Sequence, residues 1–325
     1  MKYFGTDGFR GEANVTLNVE HAYKVGRFLG NYFQKEDHKV RVVIGKDTRL
    51  SGYMFETALA SGLTASGADV YELHVTTTPS VSYLVRKENF DCGIMISASH
   101  NPYFDNGIKV INGKGHKLEP EIEEQIEKYI DGESEEIPMA KREAIGRCFD
   151  YTKGRDEYIE YLKDLVKEPF DGKTVALDLA NGSASMIAKE IFESMGAQVI
   201  ARHDEPNGTN INRECGSTHI EVLQALVYDT GADIGFAYDG DADRCLAVDD
   251  DGVLGGGHVA AELTVHGVVL QHIGQIIRGA EVVDADDLDL RVIQRSAHDH
   301  AADTAETIDT DFDAHKKNFL SDGIY

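Results

Sequence analysis

Three aspartates at alternate positions, Asp239, Asp241 and Asp243, stand in the turn YDGDADR between two apolar runs, DIGFAY and CLAV. Carboxylates this close repel one another, and burying them at a strand end is costly unless a cation joins them. An all-oxygen ligand set in a short loop suits a hard divalent ion such as magnesium, whose shell is completed by water or phosphate oxygens. A calcium hand is excluded. Its loop needs Gly at the sixth place and Glu at the twelfth, where this turn has Arg244 and Asp250, and its flanks should be helices rather than strands. The second chemistry-bearing segment is Ile96–Asn112, ISASHNPYFDNGIKVIN. An apolar strand runs into a polar turn holding Ser97, Ser99, His100 and Asn101, closed by Pro102. A serine beside a histidine can be a nucleophile or a phosphate carrier. Lys109 follows on the next strand as a cation able to transfer a proton or stabilise charge. The same residues are ordinary turn formers, so the turn alone does not decide between chemistry and structure.

Two Gly-containing segments add to these. Phe4–Gly11, FGTDGFRG, reads as an anion-holding turn of backbone N–H groups with the guanidinium of Arg10. Gly45–Gly52, GKDTRLSG, reads as a strand end, a charged turn and a capped helix start at Ser51. Neither is a P-loop or a dinucleotide fingerprint, since GxxxxGK[ST] and GxGxxG do not occur.

Positioning these turns requires alternating strands and helices. Val40–Gly45, Asp69–Val75, Cys92–Ser97 and Gly107–Ile111 predict short buried strands, and Val19–Phe33, Tyr53–Ser66, Val81–Glu88 and Glu119–Ile130 predict helices. In the last of these, Ile122, Ile126 and Ile130 share one helical face. Asp131–Ala140, DGESEEIPMA, reads as a linker or exposed turn, and Asp156–Val166 as a helix. The pattern then restarts, with strands at Thr174–Asp178, Gln198–Ala201, Asp233–Tyr238 and Cys245–Val248 and helices at Ser183–Met195 and Ile220–Val227. The fold class is α/β, as consecutive α/β/α layered domains with mixed sheets, expected over residues 1–150 and 151–252. Ligand sites in such sheets lie at the carboxyl ends of strands, where the serine turn falls.

The chain has 325 residues, with 32 Lys and Arg against 57 Asp and Glu, for a net charge of −25. That balance argues against a nucleic-acid partner, which needs a basic face, while leaving room for a locally basic site. No apolar run approaches the roughly 18–20 residues of a membrane span, so no membrane partner is expected. Met1–Arg10 has no apolar signal region, and a cytoplasmic location is expected. Cys92, Cys148, Cys215 and Cys245 are far apart with no CxxC, which suits reduced thiols. The Asn-x-Ser/Thr matches at Asn14, Asn181 and Asn207 read as chance without a signal peptide.

Taken in order, GTDGFRG, GKDTRLSG, ISASHNP with DNGIKV, LANGSAS at Leu179–Ser185, NGTNIN..CGSTH at Asn207–His219, and DGDADR resemble the α-D-phosphohexomutase family over about residues 1–252. The resemblance implies phosphoryl shuttling between sugar positions through a phosphoserine and a bisphosphorylated intermediate. Ser99 would be the phosphoserine. Asp239, Asp241 and Asp243 would bind Mg²⁺ together with the Ser99 phosphate. Lys109 would be the general acid/base, and Arg10, His100 and Arg244 would line the transfer site. The expected partner is a small-molecule sugar phosphate, and a homodimer is expected. A phosphoserine of about −2 charge beside three carboxylates needs a divalent ion and nearby cations. Phosphoryl transfer is mostly positioning and charge stabilisation, which this set supplies. A catalytically inactive fragment that binds Mg²⁺ is the alternative.

Family members carry a sugar-recognition loop of the type GE-x-SGH in a third domain and a phosphate-binding loop of the type R-x-SGT in a fourth. Neither loop occurs in this sequence. From about Val253 the composition shifts. All six prolines lie at or before Pro206, no lysine falls between Lys189 and Lys316, and six of the thirteen histidines fall in the last stretch. Residues 253–325 are therefore expected to be a frameshifted or otherwise altered remnant of an incomplete third domain, with one helix over Ala260–Ile277. The expected consequence is little or no mutase turnover.

Overall fold

The computed structural model of the protein describes residues 2–5, 8–35, 38–166 and 169–252. Residues 253–325, on which the expected third-domain remnant and its helix fall, lie outside the described residues. The first half contains β1 (Phe4–Gly5), β2 (Gly8–Glu12), α1 (Val19–Tyr32), β3 (Arg41–Lys46), α2 (Gly52–Ala65), β4 (Asp69–Val75), α3 (Thr78–Lys87), β5 (Cys92–Ile96), β6 (Asp105–Asn112), α4 (Pro120–Ile130) and β7 (Cys148–Asp150). The second contains α5 (Thr152–Leu165), β8 (Thr174–Asp178), α6 (Ala188–Ser194), β9 (Gln198–Arg202), α7 (Ile220–Thr230), β10 (Ile234–Tyr238) and β11 (Cys245–Asp249).

The first sheet has the order β1-β2-β6-β5-β3-β4-β7. Its β1, β2, β6 and β5 run antiparallel to their neighbours, whereas β5, β3, β4 and β7 pair in parallel. Both faces are buried, so successive side chains of one strand enter opposite cores. Val42 and Ile44 pack with α1, α2 and α4, while Val43 between them packs with α3. The predicted stripe of α4 is on the inner side, with Ile122, Ile126 and Ile130 all buried. Each such burial stabilises by roughly 1.5–3 kcal/mol. The second sheet has the order β11-β10-β8-β9, with β10–β11 antiparallel and the rest parallel. Val175 and Leu177 face α5 and α6, and Ala176 faces α7. Two consecutive α/β/α sandwiches with mixed sheets result.

Two expectations need correction, and a third segment gains a frame. In Phe4–Gly11 the described residues form a hairpin frame, residues 6 and 7 lying outside them. Its β1 and β2 pair antiparallel, Phe4 opposite Phe9, and β2 pairs in turn with β6, which sets Arg10 opposite Gly107. The stretch Ser183–Met195 is not one helix but a 3-10 turn at Ser183–Met186 followed by α6. The break falls at Ile187, whose φ of −136° and ψ of −36° leave the helical region. Finally, α2 does begin after Ser51, but the Ser51 side chain does not cap it; its hydroxyl accepts from Asn106 Nδ2 at 2.8 Å. Among the described residues no helix is long and apolar enough to cross a membrane.

Candidate functional site

The parallel strands β3 and β5 and the central strands of the second sheet end in loops that meet one another. Strand β5 delivers the serine turn. Ser99 is fully buried and has φ of +52°, a left-handed conformation that costs a non-glycine residue roughly 1–2 kcal/mol. Its N–H donates to Ser97 Oγ at 2.9 Å, and its Oγ donates to Asp239 Oδ2 at 2.6 Å, across 140 residues of chain. The hydroxyl and the acidic turn, placed in separate sandwiches by the sequence, thus share one site.

The acidic turn joins β10 to β11. One carboxylate oxygen from each of Asp239, Asp241 and Asp243 lies within 4.8 Å of the others. Asp239 and Asp241 are buried. Burial, then the charges of Asp243 and Asp241, push the Asp239 carboxyl well above the usual carboxylate range. For Asp241, burial acts in the same sense, but the Lys109 ammonium, with hydrogen bonds from Lys109 and Thr78, outweighs it and holds the carboxyl below its ordinary value. Lys109 Nζ stands 2.8 Å from Asp241 Oδ2 and 2.9 Å from Asp243 Oδ2. Asp241 Oδ1 is buried and makes no hydrogen bond. A compressed acid cluster with a bare inward oxygen is the donor set a metal cation would complete, so these residues fit a metal ion.

The remaining candidates gather at the same place. His100 Nδ1 lies 3.4 Å from Ser99 Oγ and 3.1 Å from a terminal nitrogen of Arg244. Burial, then the positive charges of Arg244 and Arg10, lower the His100 pKa, so a neutral ring accepts the Arg244 hydrogen bond. Arg10, on β2, acts electrostatically on both His100 and Asp241. The Arg244 N–H donates to Asp239 Oδ1 at 3.2 Å.

Several residues of the site have no counterpart in the sequence reading. Thr78, at the start of α3, donates its hydroxyl to Asp241 Oδ2 and its N–H to the Asp241 carbonyl. Thr77, which caps α3, and Pro79 in its first turn were the available signal for that helix start. The segment GKDTRLSG is more than a capped turn. Asp47 and Arg49 are fully buried, paired at 2.8 Å, and Asp47 Oδ2 also accepts from Ser97 Oγ at 2.7 Å. The Arg49 guanidinium donates to the carbonyls of Ser99, Asn101, Pro102 and Asp105. It is the brace of the serine loop.

A second mixed cluster, Asp178, His203 and Cys215, lies at the ends of β8 and β9. Asp178 Oδ1 accepts from the Ala180 N–H and His203 Nδ1, and its Oδ2 from the Gly216 N–H, so this carboxylate staples three loops together.

A serine turn and a carboxylate triad brought together from two successive α/β/α sandwiches define a protein class. Residues 1–137 match domain I, and residues 156–252 match domain II, of the phosphoglucomutase/phosphomannomutase α/β/α architecture, so the chain belongs to the phosphoglucomutase/phosphomannomutase family. It is 68% identical over 251 residues to a phosphoglucosamine mutase of Lachnoclostridium phytofermentans, covering 77% of this chain and 56% of that one. It is 58% identical over 285 residues to a phosphoglucosamine mutase of Lachnospira eligens, covering 87% and 62%. The second similarity covers more of the chain than residues 1–252 contain, so likeness extends past the expected limit. A crystal structure of a phosphoglucomutase/phosphomannomutase family protein from Burkholderia thailandensis superposes with a TM-score of 0.67 at 27% identity, covering 78% of this chain and 55% of that one. The chain thus spans little more than half the length of the curated relatives it matches.

Proposed function

We propose that the protein carries the phosphoserine and metal half of a phosphoglucosamine mutase, which interconverts glucosamine 6-phosphate and glucosamine 1-phosphate in the supply of amino-sugar nucleotides for cell-wall precursors. The observation that carries this reading is the 2.6 Å hydrogen bond from Ser99 Oγ to Asp239, inside a triad that fits a metal ion. Mg²⁺, bound by Asp239, Asp241, Asp243 and the Ser99 oxygen or its phosphate, would supply neutralising charge to the phosphoryl group.

In the transfer, the P–O bond to Ser99 breaks as a bond forms from phosphorus to a sugar hydroxyl. Lys109, an ammonium paired with Asp241 and Asp243, would give a proton to the departing Ser99 Oγ and be refilled by the proton of the attacking hydroxyl. Arg10 and Arg244 would line the transfer site, and the Arg244–His100 Nδ1 hydrogen bond would orient that guanidinium. Specificity for glucose or mannose phosphates is the near alternative, because the loop that reads the sugar in the family does not occur in this sequence.

The test is intact-mass measurement after incubation with Mg²⁺ and an aldohexose 1,6-bisphosphate. Addition of one phosphate, mapped to Ser99, is the expected result. An unmodified chain, or phosphate at another residue, refutes the assignment of Ser99.

A further inference from the structure

The loop that presents Ser99 is held by its carbonyl oxygens, and one donor comes from the other sandwich. Asn212 Nδ2 donates to the Ser99 carbonyl at 2.8 Å and to the Asn101 carbonyl at 3.1 Å. Arg49 donates to the same two carbonyls, at 2.9 and 2.8 Å, from its own side. Both lone pairs of the Ser99 carbonyl are therefore engaged, and a turn of the peptide that follows would lose both bonds. Asn212 itself sits at φ of +57°, a conformation asparagine tolerates better than most residues, and its N–H is tied to the Ala180 carbonyl at 2.9 Å. The Asp178 staple fixes the ends of the segment that carries it, through His203 and Gly216. Gly240 of the acidic turn closes the packing. A Cβ there would fall 2.6 Å from the Ser99 carbonyl oxygen and 2.9 Å from Asn212 Nδ2.

We infer that Asn212 is a positioning residue: its side-chain amide, supplied by the second sandwich, locks the Ser99 peptide in the left-handed conformation that aims Oγ at Asp239. Docking of the second sandwich then does two things together. It brings the acidic turn, and it sets the hydroxyl that the turn faces. The consequence for phosphoryl transfer rests on the reading of Ser99 as the phosphoryl acceptor; the locking of the peptide does not.

The test compares Asn212→Asp with Thr48→Val in the full chain. The aspartate keeps the size and the tolerance for positive φ but turns an acceptor toward two carbonyls. Thr48→Val removes a different bond across the same junction, from Thr48 Oγ1 to the Asn181 carbonyl at 2.6 Å, that does not touch Ser99. Amide hydrogen exchange in a peptide covering residues 98–106 is the first readout. Asn212→Asp should exchange about ten-fold faster or more, and Thr48→Val should stay within about two-fold of the parent. Equal exchange in Asn212→Asp and parent, or equal acceleration in both variants, overturns the inference. Should Asn212→Asp fail to fold, Asn212→Gly, which keeps the backbone and deletes the amide, is read in its place. The second readout is phosphate uptake at Ser99 from an aldohexose 1,6-bisphosphate with Mg²⁺, which should slow about ten-fold or more in Asn212→Asp alone. A parent chain that takes no phosphate overturns the reading of Ser99 and leaves the exchange result to decide on Asn212.

Discussion

Arg49→Met is the sharpest probe of the serine loop's support. Both Asp47 and Arg49 are completely buried, and they pair at 2.8 Å. Methionine fills most of the volume but leaves the Asp47 carboxylate without its cation. Breaking a buried pair in this way costs about 3–5 kcal/mol, chiefly through the charge left behind. For an assembly of this size, at about 2–4 °C per kcal/mol, the melting temperature should fall by roughly 6–20 °C. The pH dependence fixes the cause. Burial holds the Asp47 carboxyl above its ordinary value even with Arg49 beside it. A carboxyl raised in the folded state weakens the fold as pH climbs from the unfolded value through the folded one. Removing Arg49 raises it further, so the deficit should grow as pH climbs above the usual carboxylate range and shrink toward acid pH. Asp47→Asn in the Arg49→Met background removes the stranded charge and should recover about 1–3 kcal/mol. The remainder is the cost of removing the Arg49 bonds to the carbonyls of Ser99, Asn101, Pro102 and Asp105. The assay is thermal unfolding by circular dichroism across that pH range. A double variant no more stable than Arg49→Met, or a deficit independent of pH, would refute the buried-charge argument.

Mg²⁺ at about 100 times its dissociation constant should stabilise the chain by about 2.7 kcal/mol, read as a rise in melting temperature, and Asp239→Asn should abolish most of that rise. Lys109→Met removes the ammonium that pairs with Asp241 and Asp243, so its melting temperature should fall without metal and regain part of the loss when Mg²⁺ is added; identical losses in both buffers would count against a shared cation site. Ser99→Gly relieves the φ of +52°, so the variant should unfold at or above the parent's temperature while taking up no phosphate in an intact-mass assay.

Which parts of this could be read in the sequence follows from what leaves a local signature. Strands β4 and β8 fall where β-branched alternation put them, and α1 begins at Val19 as its apolar spacing required. The aspartates stood out because carboxylates are costly to bury side by side, and Ser99 and Lys109 because a serine beside a histidine at a strand end, with a lysine on the next strand, can carry chemistry. The hairpin of β1 and β2 left no such mark, since a two-residue strand is too short to show a period. The roles of Arg49 and Asn212 were equally silent. Each acts on main-chain carbonyls, which every residue possesses, and the Asn212 contact spans 113 positions. A side chain that recognises backbone imposes no pattern on its partner's sequence, so only coordinates reveal it.

The division of labour between the two sandwiches follows from the same contacts. Neither half holds a complete set: the first has the hydroxyl and Lys109, the second the three carboxylates. In the first half alone, Lys109 would lose its pairs with Asp241 and Asp243, and the Ser99 carbonyl one of its two donors. In the second half alone, the triad would face water, where its mutual repulsion is screened and its hold on a cation weakens. Junction contacts away from the chemistry, such as the Leu50 N–H to the Gly208 carbonyl at 2.9 Å and Thr48 to Asn181, therefore act on the site through geometry. A shift of about one ångström at that junction would lengthen the 2.6 Å Ser99–Asp239 bond past hydrogen-bonding distance.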